Sequence, residues 1–475
     1  MKKYNFYLLF TLFLFLAGCK VSKDIEAPQP DLPVAYRTAA DQNTTVTVDT
    51  TTIADLSYSQ FFPDQNLQSL INKAIAGNYD MQDAVKNIEA AQLLLKQSKW
   101  NNVPQAGLYV NASSIIPSEN SLNGLSARNF LGTTHIEDYT AGVQLSWEAD
   151  IWGKMKNRKR EALAGYLITE EARKAIQTNL VGAVAQGYYN LLMLDAQLAI
   201  AKKNLDLSNN TLRVIKLQFD SGQITSLAVQ QTEAQRLRAA QIVPMLEKEI
   251  VIQENALSIL TGALPGKIIR NASLDLGPLH NDLATGLPAT ILSRRPDIKA
   301  AEYGLAAANA RVGIAKAYMY PALSITAGGG VNSFQSSNWF NIPASLFGIV
   351  AGSIAQPLLE GKRLRTQYEI AKVDREKAVI AFRQAVLTGV GEVSDALVSI
   401  QKLKEEQEVA AARVASLQKA TGDADKLFNN GMANYLEVIS AQGNVLQSEL
   451  ELAALKRDQL VAVAYLYRAL GGGWR

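Results

Sequence analysis

Few residues in this chain could do covalent or metal chemistry. Cys19 is the only cysteine, and His135 and His280 are the only histidines in 475 residues. A catalytic nucleophile needs a base within hydrogen-bond reach, and a structural zinc needs about four clustered sulfur or imidazole ligands. Neither pattern is written here, so the reading is of a protein that is not an enzyme and has no metal or other cofactor. A single cysteine also excludes disulfides within the chain. Forty-seven Lys and Arg stand against 44 Asp and Glu, a balance that argues against nucleic acid as a partner. Covalent chemistry is thus confined to Cys19.

Cys19 sits in an informative context. Lys2 and Lys3 precede an apolar run from Phe6 to Ala17, broken only by Thr11, in the form of a secretory signal and too short to span a bilayer as a helix. The run ends Leu16-Ala17-Gly18-Cys19, which resembles the site cleaved in bacterial lipoproteins, so residues 1–18 are expected to be removed and Cys19 to carry the lipid. Lys20 follows rather than the aspartate that retains many lipoproteins at the inner membrane, which favours the outer membrane. Residues 19–60, with Pro28, Pro30 and Pro33 and no helical periodicity, are expected to form an extended tether.

The remainder is one unit written twice. Asp80 and Asp297 open helical stretches, and Pro104 and Pro321 open alternating ones, both at a spacing of 217; Gly153-Lys154 matches Gly361-Lys362 at 208. The difference of nine places an insertion in the first strand-to-strand loop, which also holds His135. Repeat one spans 61–265, with strands at about 104–116 and 137–147; repeat two spans 280–475, with strands at about 321–331 and 346–357. Each reads helix, strand, strand, very long helix, turn, helix.

In the second strand Tyr139, Ala141, Val143, Leu145 and Trp147 share one face, and Asp138, Thr140, Gly142, Gln144 and Ser146 the other. Tyr139 and Trp147 are about 26 Å apart at about 3.3 Å per residue, the height of a membrane strand between its aromatic girdles. The face choice is ambiguous for Leu346 to Gln356. Four strands cannot close a membrane barrel, so the barrel must be shared between chains.

No proline occurs between Lys154 and Val243, and Lys154 to Phe219 would make a rod of about 100 Å. Val184, Leu191, Leu198, Leu205, Leu212 and Phe219 recur every seven, the seam of a coiled coil. The second long helix has a thinner seam, with Gln407 and Thr421 in one row. Gly222 and Gly431 end the rods, and Pro244 is expected to kink or break the returning helix.

Taken in order, Trp147-Glu148-Ala149-Asp150-Ile151-Trp152-Gly153-Lys154, Arg294-Arg295-Pro296-Asp297-Ile298, Ile242 to Glu247 and Leu470-Gly471-Gly472-Gly473-Trp474 resemble the TolC-like outer-membrane factors, in their lipidated efflux branch. The resemblance implies a mainly α protein with a membrane β-barrel. Three copies would make a trimeric 12-stranded barrel continuous with a long periplasmic α-helical tunnel. It implies a homotrimer working with a periplasmic adaptor and an inner-membrane pump, and passive conduction of drugs, metals or other small molecules. Adaptor contact is implied at the tips Gly222, Gln223, Ile224, Thr225 and Gly431, Met432, Ala433, Asn434. The gate is implied between Leu417 and Phe428, with Asp423 and Asp425 as an acidic ring and Leu417 as an apolar one. The family position that holds an aromatic pair before the first helix is here Ser57-Tyr58. A type I protein-secretion duct shares this architecture, and a non-conducting coiled-coil lipoprotein is a further reading.

Overall fold

The computed structural model describes residues 21–30, 32–33, 35–37, 52–271, 273–274, 285–286 and 288–474; Cys19 and His280 lie outside them. The principal helices are α1 (Gln65–Gly77), α2 (Tyr79–Trp100), α3 (Lys154–Asp220), α4 (Ser226–Leu260), α5 (Pro296–Ala317), α6 (Arg363–Asn429) and α7 (Tyr435–Ala469). The strands are β1 (Gln105–Ile115), β2 (Ile136–Ala149), β3 (Ala322–Ser333) and β4 (Leu346–Ala355). Both α3 and α6 run 67 residues and both α4 and α7 run 35, so the duplication extends to element length.

The chain forms two units, one of Met1–Ala27, Ala90–Tyr166 and Tyr303–Ile380, the other of Pro28–Glu89, Leu167–Glu302 and Ala381–Arg475. The first holds an antiparallel sheet in the order β1-β2-β3-β4. Its register assigns the strand whose faces the sequence leaves open. Val110 pairs with Ala141, Ala141 with Val331 and Val331 with Leu346, so Leu346, Gly348, Val350, Gly352 and Ile354 share the face of Tyr139 to Trp147. Phe347 and Ile349 fall on the polar face, where Phe347 lies level with Gly330, Gly142 and Tyr109. The loop between β1 and β2 is the longer of the two hairpin loops, and it folds into a short helix, Leu122–Ser126, and one further turn.

The second unit is helical and its core draws on distant parts of the chain. Tyr188, Tyr189, Leu191 and Leu192 of α3 are buried with Leu67 and Ile71 of α1. Segment 52–62 is not extended: Ile53–Asp55 and Tyr58–Phe61 are short helices, and Ser57 caps the second through a reciprocal capping box. Phe61 and Phe62, a few residues beyond Ser57-Tyr58, are the aromatic pair of this region. Both are fully buried, and Phe61 stacks on Tyr467 at 4.0 Å while the Tyr467 hydroxyl donates to the Leu56 carbonyl. Next to them the segment after α7 is wedged in place. A Cβ on Gly472 would lie 2.4 Å from the Tyr467 ring, Trp474 Nε1 donates to the Arg294 carbonyl, and Lys174 Nζ lies 4.8 Å above the Trp474 ring.

Pro244 lies inside α4, which continues unbroken through it. Proline removes one N–H and costs roughly 3 kcal/mol in an isolated helix. Ala239 and Leu246, buried on either side of it, hold the helix in register.

Candidate functional site

Three places concentrate what the sequence singles out: the sheet, the helix starts that follow its strands, and the hairpin tips. On the sheet, Leu108 and Val110 of β1 and Val350 and Ile354 of β4 are all more than 60% exposed in the single chain, an apolar face with nothing of its own to cover it. Trp147 Nε1 donates to the Asn102 carbonyl, and Tyr139 is 5.4 Å from the Trp339 ring. Both girdle candidates are therefore fixed in orientation at the two ends of β2. His135 is exposed just before β2 and lies 3.4 Å from Glu137, which gives it a plain surface role.

Where β2 ends, the Trp147 to Lys154 motif is an N-terminal cap. The Asp150 carboxylate accepts from the backbone of Met155 and Lys156, using two of the donors that the first turn of α3 leaves free. Trp152 stacks on Tyr320 at 4.7 Å and donates to the Pro321 carbonyl, tying this junction to the start of β3. In the second unit, the Arg295-Pro296-Asp297 motif forms an ion cluster in which the Arg295 side chain is buried while Asp297 is about half exposed. The Arg295 guanidinium, 8% exposed, donates to Asp297, to Glu392 of α6 and to the Ala469 carbonyl of α7. Burial works against both charges, but their pairing wins: the Arg295 pKa is raised, and Asp297 is held below the usual carboxylate range.

At the tips the two hairpins end alike. Gly222 and Gly431 have φ of 76° and 72°; each closes a turn in which its N–H and the next residue's N–H return to carbonyls of the last helical turn, from Phe219 and Gln218 or from Phe428 and Leu427. Ile224 and Ala433 turn inward onto a small core of Ile215, Ala228, Phe428 and Val438. Gln223, Thr225 and Met432 point outward; Asn434 caps α7 in a box with Glu437. Tyr435 OH donates to Gln231 and joins the two hairpins. The eight tip residues therefore separate into a partly buried pair and an outward set. Sequence spacing could not make that division, although the apolar character of Ile224 between polar neighbours was its signal.

Asp423 and Asp425 do not come together. Residues two positions apart on a helix differ by about 200°. Asp423 is exposed, whereas Asp425 turns into a crevice of about 170 Å³ shared with Thr211 and Val214 of α3 and Val438 and Gln442 of α7. Burial there raises the Asp425 pKa. Leu417 is half-buried one turn from Thr421, whose hydroxyl donates to the Leu417 carbonyl and so satisfies a buried polar group within the helix. In the single chain the two aspartates thus lie on different faces of α6.

The sheet, the duplicated helical hairpins and their tips define an outer-membrane efflux protein. The outer membrane efflux protein family model matches residues 70–263 and 287–472, one match per repeat, and the chain belongs to that family. Among curated relatives, the cation efflux system protein CusC of Escherichia coli O6:H1 is 29% identical over 98% of both chains. The toluene efflux pump outer membrane protein TtgI of Pseudomonas putida is 28% identical over 97% of both. The probable outer membrane lipoprotein SilC of Salmonella typhimurium is 29% identical over 98% of this chain. A crystal structure of CusC superposes with a TM-score of 0.83 at 27% identity, covering 96% of this chain and all of that one.

Proposed function

We propose that this protein is the outer-membrane duct of a three-part efflux assembly, a lipid-anchored homotrimer that conducts small solutes passively from an inner-membrane pump and its periplasmic adaptor to the exterior. The observation that carries this reading is the open four-stranded sheet. β1 and β4 are both edges, and one face is apolar along every strand. An open edge in hydrocarbon leaves backbone groups unpaired, and about eight strands is the least that closes. Three copies joined β4 to β1 make twelve strands with no edge and a polar interior bearing Asp138, Gln144 and Asn332. The relatives that handle cations and toluene differ in cargo while sharing this architecture, so cargo choice is assigned to the pump.

Cys19 carries the acyl chains in this reading, which supplement the barrel's own insertion energy. The adaptor meets the outward tip residues Gly222, Gln223, Thr225, Gly431, Met432 and Asn434, with Ile224 and Ala433 holding the tip's shape. The ring that narrows the duct is Asp423, while Asp425 and Leu417 act within their own chain. The test is direct: the purified protein in a planar bilayer should give discrete single-channel currents and cross-link as a trimer. A well-folded monomer without current would end this reading in favour of a stalk.

A further inference from the structure

The strand-to-helix junctions carry a charge pattern that the conducting role leaves unused. Ala149 pairs with Leu323, and Ala322 with Ala355, so β2 and β4 finish at the same end of the sheet and deliver α3 and α6 there. Within one turn or two, α3 brings Lys154, Lys156, Arg158, Lys159 and Arg160, and α6 follows Lys362 with Arg363 and Arg365. The positive end of a helix dipole favours acids in the first turn. α2, α5 and α7 obey with Asp80, Asp297 and Glu437; α1, α3, α4 and α6 have no first-turn acid, and of these only α3 and α6 put bases there. Helix stability therefore does not account for these bases.

Three of the eight are neutralised locally: Lys154 pairs with Glu148, Arg160 lies 3.7 Å from Asp24, and Arg363 pairs with Glu360, while Arg158 is held by a hydrogen bond to the uncharged Tyr318 hydroxyl. Lys156, Lys159, Lys362 and Arg365 are exposed and have no acidic partner among the described residues. Aromatic rings flank them: Trp152 on Tyr320, and Tyr318 beneath Lys154 at 4.9 Å. Interfacial Trp and Tyr beside cationic side chains is the composition of a headgroup layer.

The N-terminal strap is gripped in this same unit. Asn309, 8% exposed in the alanine-rich middle of α5, clamps the backbone of Ile25 twice, accepting from its N–H at 3.0 Å and donating to its carbonyl at 2.7 Å. Arg375 donates to the Lys23 carbonyl, and a Cβ on Gly313 would lie 3.1 Å from Ser22 Oγ. Ser22 is thereby fixed beside Asn157 of α3, among these bases.

We propose that the basic starts of α3 and α6 form one docking surface for the anionic phospholipid headgroups of the periplasm-facing leaflet, with Lys156, Lys159, Lys362 and Arg365 supplying the charge. The proposal rests on the outer-membrane reading above, and it gives the barrel's periplasmic rim a preferred lipid. A base at an anionic surface is worth about a fivefold partition preference.

The test uses the full chain reconstituted in phosphatidylcholine vesicles containing spin-labelled phosphatidylglycerol or spin-labelled phosphatidylcholine, with the protein-contacting fraction of each lipid measured. The native protein should prefer phosphatidylglycerol about fivefold, a preference that salt weakens. In Lys156→Gln/Lys159→Gln/Lys362→Gln/Arg365→Gln it should fall to near unity. Removing four remote bases, Lys203→Gln/Lys216→Gln/Lys404→Gln/Lys419→Gln, should leave it intact. Equal contact of both lipids with the native protein, or a preference that survives the first variant, would overturn the proposal. So would its complete loss on adding millimolar inorganic phosphate, which would mark a small-anion site. Cys19→Ser should keep the preference, and current recorded in the same vesicles reports separately on the duct.

Discussion

At the scale of single residues, two buried charges behave in opposite ways. Arg295 has three partners, so its burial is compensated; without Glu392 it keeps Asp297 and the Ala469 carbonyl but loses its tie to α6. Glu392→Gln should lower the thermal midpoint slightly and Arg295→Ala should lower it more, measured by thermal unfolding. Asp425 has burial without a compensating cation, and its pKa is raised. A carboxyl whose folded-state pKa exceeds its unfolded value gives stability that is complete below the unfolded pKa and lost as pH rises through the folded one. Asp425→Asn should therefore slow hydrogen exchange around Ile215 and Val438 at neutral pH and leave it unchanged at about pH 3, below the ordinary aspartate value. Slowing at both pH values would mean that the gain comes from packing rather than charge.

At the scale of elements, much was legible from the sequence, for reasons that differ from one element to the next. The second strand could be read because Tyr139 to Trp147 alternate without exception. The fourth could not, since Leu346-Phe347-Gly348-Ile349-Val350 puts apolar residues on both faces and only pairing with β3 fixes the register. In membranes, Val350→Cys should resist a water-soluble thiol reagent and Ile349→Cys should react, each placed in a Cys19→Ser background that carries no other thiol. Equal labelling would refute the facing given by the register. Long helices and terminal glycines were legible because their spacing is one-dimensional. Asp423 and Asp425 looked like a pair for the same reason, but the turn of the helix separates what the sequence puts side by side. A Cβ added at Gly222 or Gly431 would meet nothing within 4 Å, so only backbone strain opposes substitution. Valine at either should cost about 1–2 kcal/mol locally, and asparagine less. Both valine variants should still assemble as trimers yet lose drug resistance in cells; resistance retained in both would remove the tips from adaptor contact.

At the scale of the whole molecule, the duplication is complete in element length and unequal in chemistry. Both repeats present a strand pair and a hairpin, so a trimer has six near-equivalent hairpins around one axis. Their seams differ in how much they bury: α3 buries Tyr188, Tyr189, Leu191, Leu192, Leu212 and Ile215, while α6 buries fewer large apolar residues, Phe382, Val386, Val393, Val414 and Phe428, with Ala396 and Ala410 between them. Less apolar area removed from water is worth less per turn, so α6 and α7 are the pair expected to move when the duct opens. Cross-linking α6 to α7 near their tips should hold single-channel conductance low, whereas cross-linking α3 to α4 should change it little. The reverse result would assign the moving pair to repeat one.

The wedge around Tyr467 also governs the order in which the protein can be made. Its hydroxyl meets the Leu56 carbonyl 411 residues away, and Gly472 and Trp474 complete the same core. The second unit therefore cannot close until residue 474 has been synthesised, and loop closure over such a separation is slow. A polypeptide bound for another compartment must stay unfolded long enough to be threaded across a membrane. Here that delay is written into the topology: the ribosome itself withholds the final piece of the core, and the chain remains fit for translocation until its last helix has emerged.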